Sequence, residues 1–275
     1  MKNILYTLFT LLLISSCTTE TVRDAKQETS HPKIYPDYVD VTIPVNIAPL
    51  NFCMADEKAL LIDAVVADNQ GNSLHCQGDE SLDFDIDDWH QILDNNRGKK
   101  LTVTVSAKYE DGWHTYRPFS ILVSNDSIDY GICYRLIEPG YEVWSKMGIY
   151  ERDLSSFDER ALIENTQFEG CVNCHSFNRG NSADMSIHVR GPHGATLLRS
   201  NGGDFTAYNT KTAETLGLCV YPYWHPSGNF VAFSSNLTRQ TFYGISRNKI
   251  EVFDMNSDII IYDVKNDRLL TDSRF

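Results

Sequence analysis

The stretch Tyr221-Pro222-Tyr223-Trp224-His225-Pro226-Ser227-Gly228-Asn229-Phe230-Val231-Ala232-Phe233-Ser234-Ser235-Asn236 decides how the C-terminal third of the chain is read. Aromatic residues lead into a His-Pro-x-Gly turn, and Phe230 to Ser235 follows as a strand with apolar side chains to bury. Downstream, Asp258-Ile259-Ile260-Ile261-Tyr262-Asp263-Val264 and Lys265–Thr271 read as the next strand pair of the same unit. Upstream, Met185–Arg190, Gly194–Arg199 and Asp204–Asn209 read as three short strands. Residues 181–275 are therefore expected to be a run of short strands joined by tight turns.

Immediately before this run stands Cys171-Val172-Asn173-Cys174-His175. Two thiols two residues apart can each add across a haem vinyl group, and the adjacent histidine is placed to ligate the iron. The competing readings are a disulfide or half of a zinc site. No second Cys-x-x-Cys completes a four-cysteine zinc site, and the βαβ context of a thioredoxin-like pair is absent. The expected cofactor is thus a covalent haem c on Cys171 and Cys174 with His175 on the iron. Met185 or His188 is the candidate sixth ligand, Met147 and His193 lie nearby, and an open sixth position is the other option.

Covalent haem attachment requires export, and the N-terminus supplies a signal. Met1-Lys2-Asn3 is a short positive start, and Ile4 to Ile14 is an apolar core of signal-peptide length. It is shorter than the ~20 apolar residues of a spanning helix. Leu13-Ile14-Ser15-Ser16-Cys17 resembles a bacterial lipobox, which implies cleavage before Cys17 and lipidation of that cysteine. Residues 1–17 are read as the lipoprotein signal and 18–36, polar and without hydrophobic period, as a flexible tether.

Composition sets the outer limits. The chain has 275 residues, 42% hydrophobic, with 14 Tyr and 13 Phe, which is globular. A net charge of −13 excludes nucleic acid as a partner and opposes a grip on anionic lipid, leaving the lipid on Cys17 as the expected membrane contact. With Cys17, Cys171 and Cys174 assigned, Cys53, Cys76, Cys133 and Cys219 remain. They permit up to two disulfides, with Cys53–Cys76 the pair that would form first, but buried free thiols are the favoured reading.

Residues 37–125 read as a β-sandwich-like domain of immunoglobulin-like kind. Tyr38–Val45 and Leu101–Ala107 alternate, Leu60–Ala67 is mostly apolar, and Glu110-Asp111-Gly112 marks a hairpin. One helix is expected over Asp88–Asn95, with Trp89, Ile92 and Leu93 on one face. Asp83, Asp85, Asp87 and Asp88 lack the glycine and glutamate of a calcium loop and read as a solvated face with a helix cap. Residues 126–180 read as a connector: a strand over Ile128–Ile137, then a helical pattern from Tyr141 to about Asn165, with Phe157–Ile163 as a second short helix, leading into the haem motif.

Together these pieces resemble a group of Bacteroidetes envelope lipoproteins in which a β domain and a Cys-x-Asn-Cys-His-Ser-Phe segment precede a TolB-like, WD-type β-propeller. His225 stands where that repeat more usually has serine, and Ser227 where it has aspartate. The resemblance implies a mainly β chain: a sandwich-like domain, a short helical connector with the haem motif, and a partial propeller. Blades take ~40–45 residues, so 181–275 holds about two, and the expectation is a shortened member or fragment, the alternative being blades supplied from elsewhere. It also implies an envelope location, at the outer membrane on its periplasmic side or surface, and Asp126-Ser127-Ile128 fits the short O-glycosylation pattern of such proteins. The sequence has no Gly-x-Ser-x-Gly, phosphate-cradling loop or His-Glu-x-x-His, so nothing marks it as an enzyme. Two functions are expected: electron transfer or haem-based sensing with a redox or envelope protein partner, or a binding scaffold for protein or glycan in which Cys171 and Cys174 form a disulfide.

Overall fold

A computed structural model describes residues 19–56, 58–137, 146–168, 170–245 and 250–272, and over these the chain is mainly β. Its contacts divide it into two units. One runs to Asp129 and includes Leu154–Ser156; the other comprises Tyr130–Asp153 and the residues from Phe157 onward.

In chain order the first unit contains β1 (Lys26–Gln27), β2 (Ile34–Tyr35), β3 (Thr42–Ile43), β4 (Cys53–Met54), β5 (Leu61–Ala67), β6 (Ser73–Gly78), α1 (Ile86–Asn95), β7 (Lys100–Tyr109), β8 (Gly112–Thr115) and β9 (Phe119–Val123). One edge of β7 pairs with β5, from Leu61↔Lys108 to Ala67↔Thr102. Its other edge pairs first with β9 and then with its hairpin partner β8. The period-two pattern puts Leu101, Val103, Val105 and Ala107 of β7 and Phe119, Ile121 and Val123 of β9 on one buried face. That face shares its core with Trp89, Ile92 and Leu93 of α1 and with Ile34 and Met54 of the β2–β4 ribbon. The cover is thus a helix and a short ribbon, not a second sheet of similar size.

α1 begins where the acidic cluster predicts a cap. The Asp85 carboxylate accepts from the backbone N–H of Asp87 and Asp88, each at 3.0 Å, satisfying donors that have no partner within the helix. The tether expected over 18–36 is corrected by its described part. β1 pairs in parallel with β8, Lys26 opposite His114, and Lys108 donates to Glu20 at 2.6 Å. Hydrogen bonds along a sheet edge and one ion pair hold a segment that buries few apolar side chains, which is why no hydrophobic period announced it.

The second unit consists of three antiparallel meanders in chain order. The first is β10 (Gly131–Ile137), β11 (Met147–Asp153) and β12 (Glu159–Glu164). The second is β13 (Cys171–Asn178), β14 (Asn181–Arg190), β15 (Ala195–Arg199) and β16 (Thr206–Tyr208). The third is β17 (Cys219–Trp224), β18 (Phe230–Phe242), β19 (Ile250–Asp263) and β20 (Arg268–Leu270). Met185, Ile187, Val189 and Leu197 of the second sheet pack with Met147, Ile149 and Ile163 of the first. Leu198, turned the other way, packs with Cys219, Trp224, Val231 and Phe233 of the third. The helical connector is corrected: Met147–Asp153 and Glu159–Glu164 are strands, while Val143 and Trp144 lie outside the described residues. Met147 to Glu151 is buried on both faces, so its apolar residues carry no period-two signal to set against the helical spacing.

Candidate functional site

The Cys-Val-Asn-Cys-His segment opens the second meander, so it lies on strand β13 and not on a helix. β13 pairs regularly with β14 through Asn173↔His188 and resumes at Ser176↔Ser186, which sets Cys174 and His175 together against Ile187. This is a β-bulge, and Cys174 takes the left-handed backbone conformation at φ 52°. Non-glycine residues adopt that region rarely, and bulges of this kind re-aim side chains. Val172, one residue before, is fully buried and anchors the strand in the core.

The side chains at the bulge have distinct electrostatic settings. Both thiols are unbridged. Burial pushes the Cys171 thiol up; Arg190 and Arg135 pull the other way, and the neighbouring Cys174 adds to the rise. Burial, with help from Arg135, pushes the His175 imidazolium down, so His175 is neutral at neutral pH with a free nitrogen lone pair. Its ring meets Phe177 edge-on at 5.4 Å. Among the described residues no three His, Cys, Asp or Glu side chains converge to hold a metal ion. A c-type haem does not require such convergence, because its sulfurs bond to the porphyrin and only the imidazole binds iron. The donor set of Cys171, Cys174 and His175 fits that group.

The two candidate sixth ligands are placed apart. Met185 has 0% exposure and sits in the core between the first two sheets. His188 is three residues on, so strand alternation turns it to the opposite face, toward the third sheet. They are therefore not interchangeable occupants of one position, and Met185 is enclosed by the side chains it packs with. Met147 is likewise a core residue. Cys17 lies outside the described residues.

Of the two alternatives weighed for the remaining cysteines, the free thiols are the ones found. Cys53, Cys76, Cys133 and Cys219 are all free thiols. Cys53 donates to the carbonyl of Tyr35 at 3.4 Å and Cys76 to that of Asp83 at 3.3 Å, so each has its own local acceptor. Sequence reading missed two charged groups of the first sheet. Arg135 on β10 acts on both Cys171 and His175, and no motif marks it. Glu151 on β11 is 3% exposed and accepts from Ser182 and from Arg160, whose Nε lies at 2.7 Å.

No known family model matches the chain, and no curated protein matches it. Among the described residues no helix is long and apolar enough to cross a membrane.

Proposed function

We propose that the chain is a lipid-anchored cell-envelope protein that holds one covalent c-type haem, for electron transfer or haem-based sensing. The observation that supports this reading is that Cys171, Cys174 and His175 share one strand with a bulge at Cys174 and His175, both thiols unbridged and the imidazole neutral. Cys171 and Cys174 would each add their S–H across a vinyl group, a redox-neutral step that leaves no other product. His175 would ligate the iron. When bound, the haem would supply a one-electron redox centre. Arg135, already close enough to influence Cys171 and His175, complements the carboxylates a haem carries. Met185, enclosed in the core by the side chains it packs with, would serve packing and not the haem. Anchorage would be through lipid on Cys17.

The three successive meanders support a further element of this reading, a partial TolB-like propeller whose sheets are its blades. They also favour the second reading, a scaffold that binds protein or glycan without haem. Co-expression with a cytochrome maturation system separates the two. The first reading expects a pyridine haemochrome α-band, a mass raised by one haem, and loss of both in Cys174→Ser. Colourless protein with the mass of the polypeptide and its lipid would overturn it and leave the scaffold. Metabolic fatty-acid labelling that survives Cys17→Ser would overturn the anchor.

A further inference from the structure

A groove of about 420 Å³ lies between the second and third sheets of the second unit, on the face of β14 away from Met185. His188, Arg190 and Lys211 form one side of it, and Asn236, Thr238 and Gln240 line the other. The last three alternate along β18, so one face of that strand presents a row of amides and a hydroxyl. Tyr221 stands at the groove, 58% exposed, beside a register shift in β17 and with its backbone at φ 52°.

Two features mark this groove as a binding site. His188 is 3% exposed, and its Nδ1 is buried with no hydrogen-bond partner. A buried polar atom left unpaired is costly, and here it belongs to a side chain that lines the groove. The charge is equally one-sided. In a chain of net charge −13, Arg190 and Lys211 enter the groove with no ion-pair partner among the described residues, and no carboxylate lines its walls. Burial, and then Arg190, lowers the His188 imidazolium to about 4, so the ring is neutral at neutral pH and can donate or accept. The volume falls in the range of small-ligand sites, ~300–1,000 Å³.

We propose that this groove binds a sugar-sized polyol carrying one oxyanion, held by Arg190 and Lys211, with His188 and the β18 amides taking its hydroxyl groups. The shared chemistry is a carboxylate or phosphate on a hydroxylated body. It does not depend on whether Cys171 and Cys174 carry haem.

Titration calorimetry of the full chain with glucuronate, glucose 6-phosphate and glucose tests this. At least one of the two acidic sugars should bind at least tenfold more tightly than glucose, and which one binds identifies the oxyanion. Arg190→Gln, an exposed change that leaves the core intact, should weaken that binding at least tenfold. His188→Leu should weaken it without lowering Tm, because the unpaired nitrogen is removed. If neither acidic sugar binds more tightly than glucose, or if Arg190→Gln leaves the affinity unchanged, the assignment is wrong. Should His188→Leu fail to fold, the Arg190→Gln comparison decides alone.

Discussion

Met185 separates packing from ligation, because the same side chain was a candidate for each role. It has 0% exposure, with Met147, Ile149, Ile163 and Ile187 in the same core. Truncation to alanine removes about three buried heavy atoms, a transfer loss of about 2.4 kcal/mol at ~0.8 per group. The cavity left behind brings the expected cost of Met185→Ala to about 2–5 kcal/mol. Met185→Leu conserves volume and should cost less than about 1.5 kcal/mol. Urea unfolding of the second unit, with the slope checked for constancy, measures both. The haem-loaded protein adds an independent readout: Met185→Leu should leave its visible spectrum and reduction potential unchanged. A methionine on the iron raises the potential, so its loss would show as a fall. Two results would refute the reasoning. One is a cost for Met185→Ala below about 1 kcal/mol, meaning the two sheets are not packed there; the other is a spectrum altered by Met185→Leu.

Gly228 closes the His225–Phe230 turn at φ 74°, and a Cβ there would meet the Asn178 amide at 2.7 Å. Gly228→Val should therefore cost about 1–3 kcal/mol in thermal unfolding, and Gly228→Asn less, since asparagine tolerates this backbone region. Burial opposes the charge on Glu151, but the hydrogen bonds from Ser182 and Arg160 prevail and hold its carboxyl below the usual value. A depressed carboxyl stabilises above the unfolded-state pKa of ~4.3, and that stability is lost as pH falls through the lower folded value. Glu151→Gln should flatten this acid limb and cost about 1–3 kcal/mol at pH 7, measured by urea unfolding across pH. Asp85→Ala removes the α1 cap and should lower the stability of the first unit by about 1 kcal/mol, whereas Asp85→Asn should be near neutral by circular dichroism.

Two kinds of strand were legible in the sequence: β7, with one mostly wet face, and β14, whose Met185–Val189 stretch is buried on both faces but is short and bounded by glycine turns. Leu101 to Val105 alternates because β7 buries one side there and exposes or half-buries the other, and the pattern survives in the letters. Met147 to Glu151 buries both sides, and its Met147–Tyr150 spacing imitates a helical stripe. The His225 turn shows a different kind of legibility. His225 and Ser227 depart from the expected repeat, yet the turn forms: the Gly228 N–H donates to the His225 carbonyl at 2.8 Å, and the Ser227 N–H to the imidazole Nδ1 at 3.1 Å. The imidazole supplies an acceptor within the turn, so what the position requires is an acceptor and not a particular residue.

At the proposed haem site, the candidate residues were read from spacing alone, because Cys-x-x-Cys-His is a local statement. What lies around it was not local. His188 is thirteen positions beyond His175 in the chain, and antiparallel pairing sets it opposite Asn173, inside the motif itself. Proximity in sequence and in register both argued for an iron ligand. Alternation along β14 overrides them, turning His188 toward the third sheet, into a groove lined also by Arg190, by Lys211 and by Asn236, Thr238 and Gln240, which lie 46 to 50 positions beyond Arg190 in the chain. Such a groove is created by stacking one meander on the next, and neither sheet contains it alone. The acidic composition sharpens the contrast: two cations without an ion-pair partner among the described residues, in a chain of net charge −13, are conspicuous only once folding has brought them to one groove. Composition therefore predicted repulsion of anions by the chain as a whole, while the fold builds one place where an anion is drawn in.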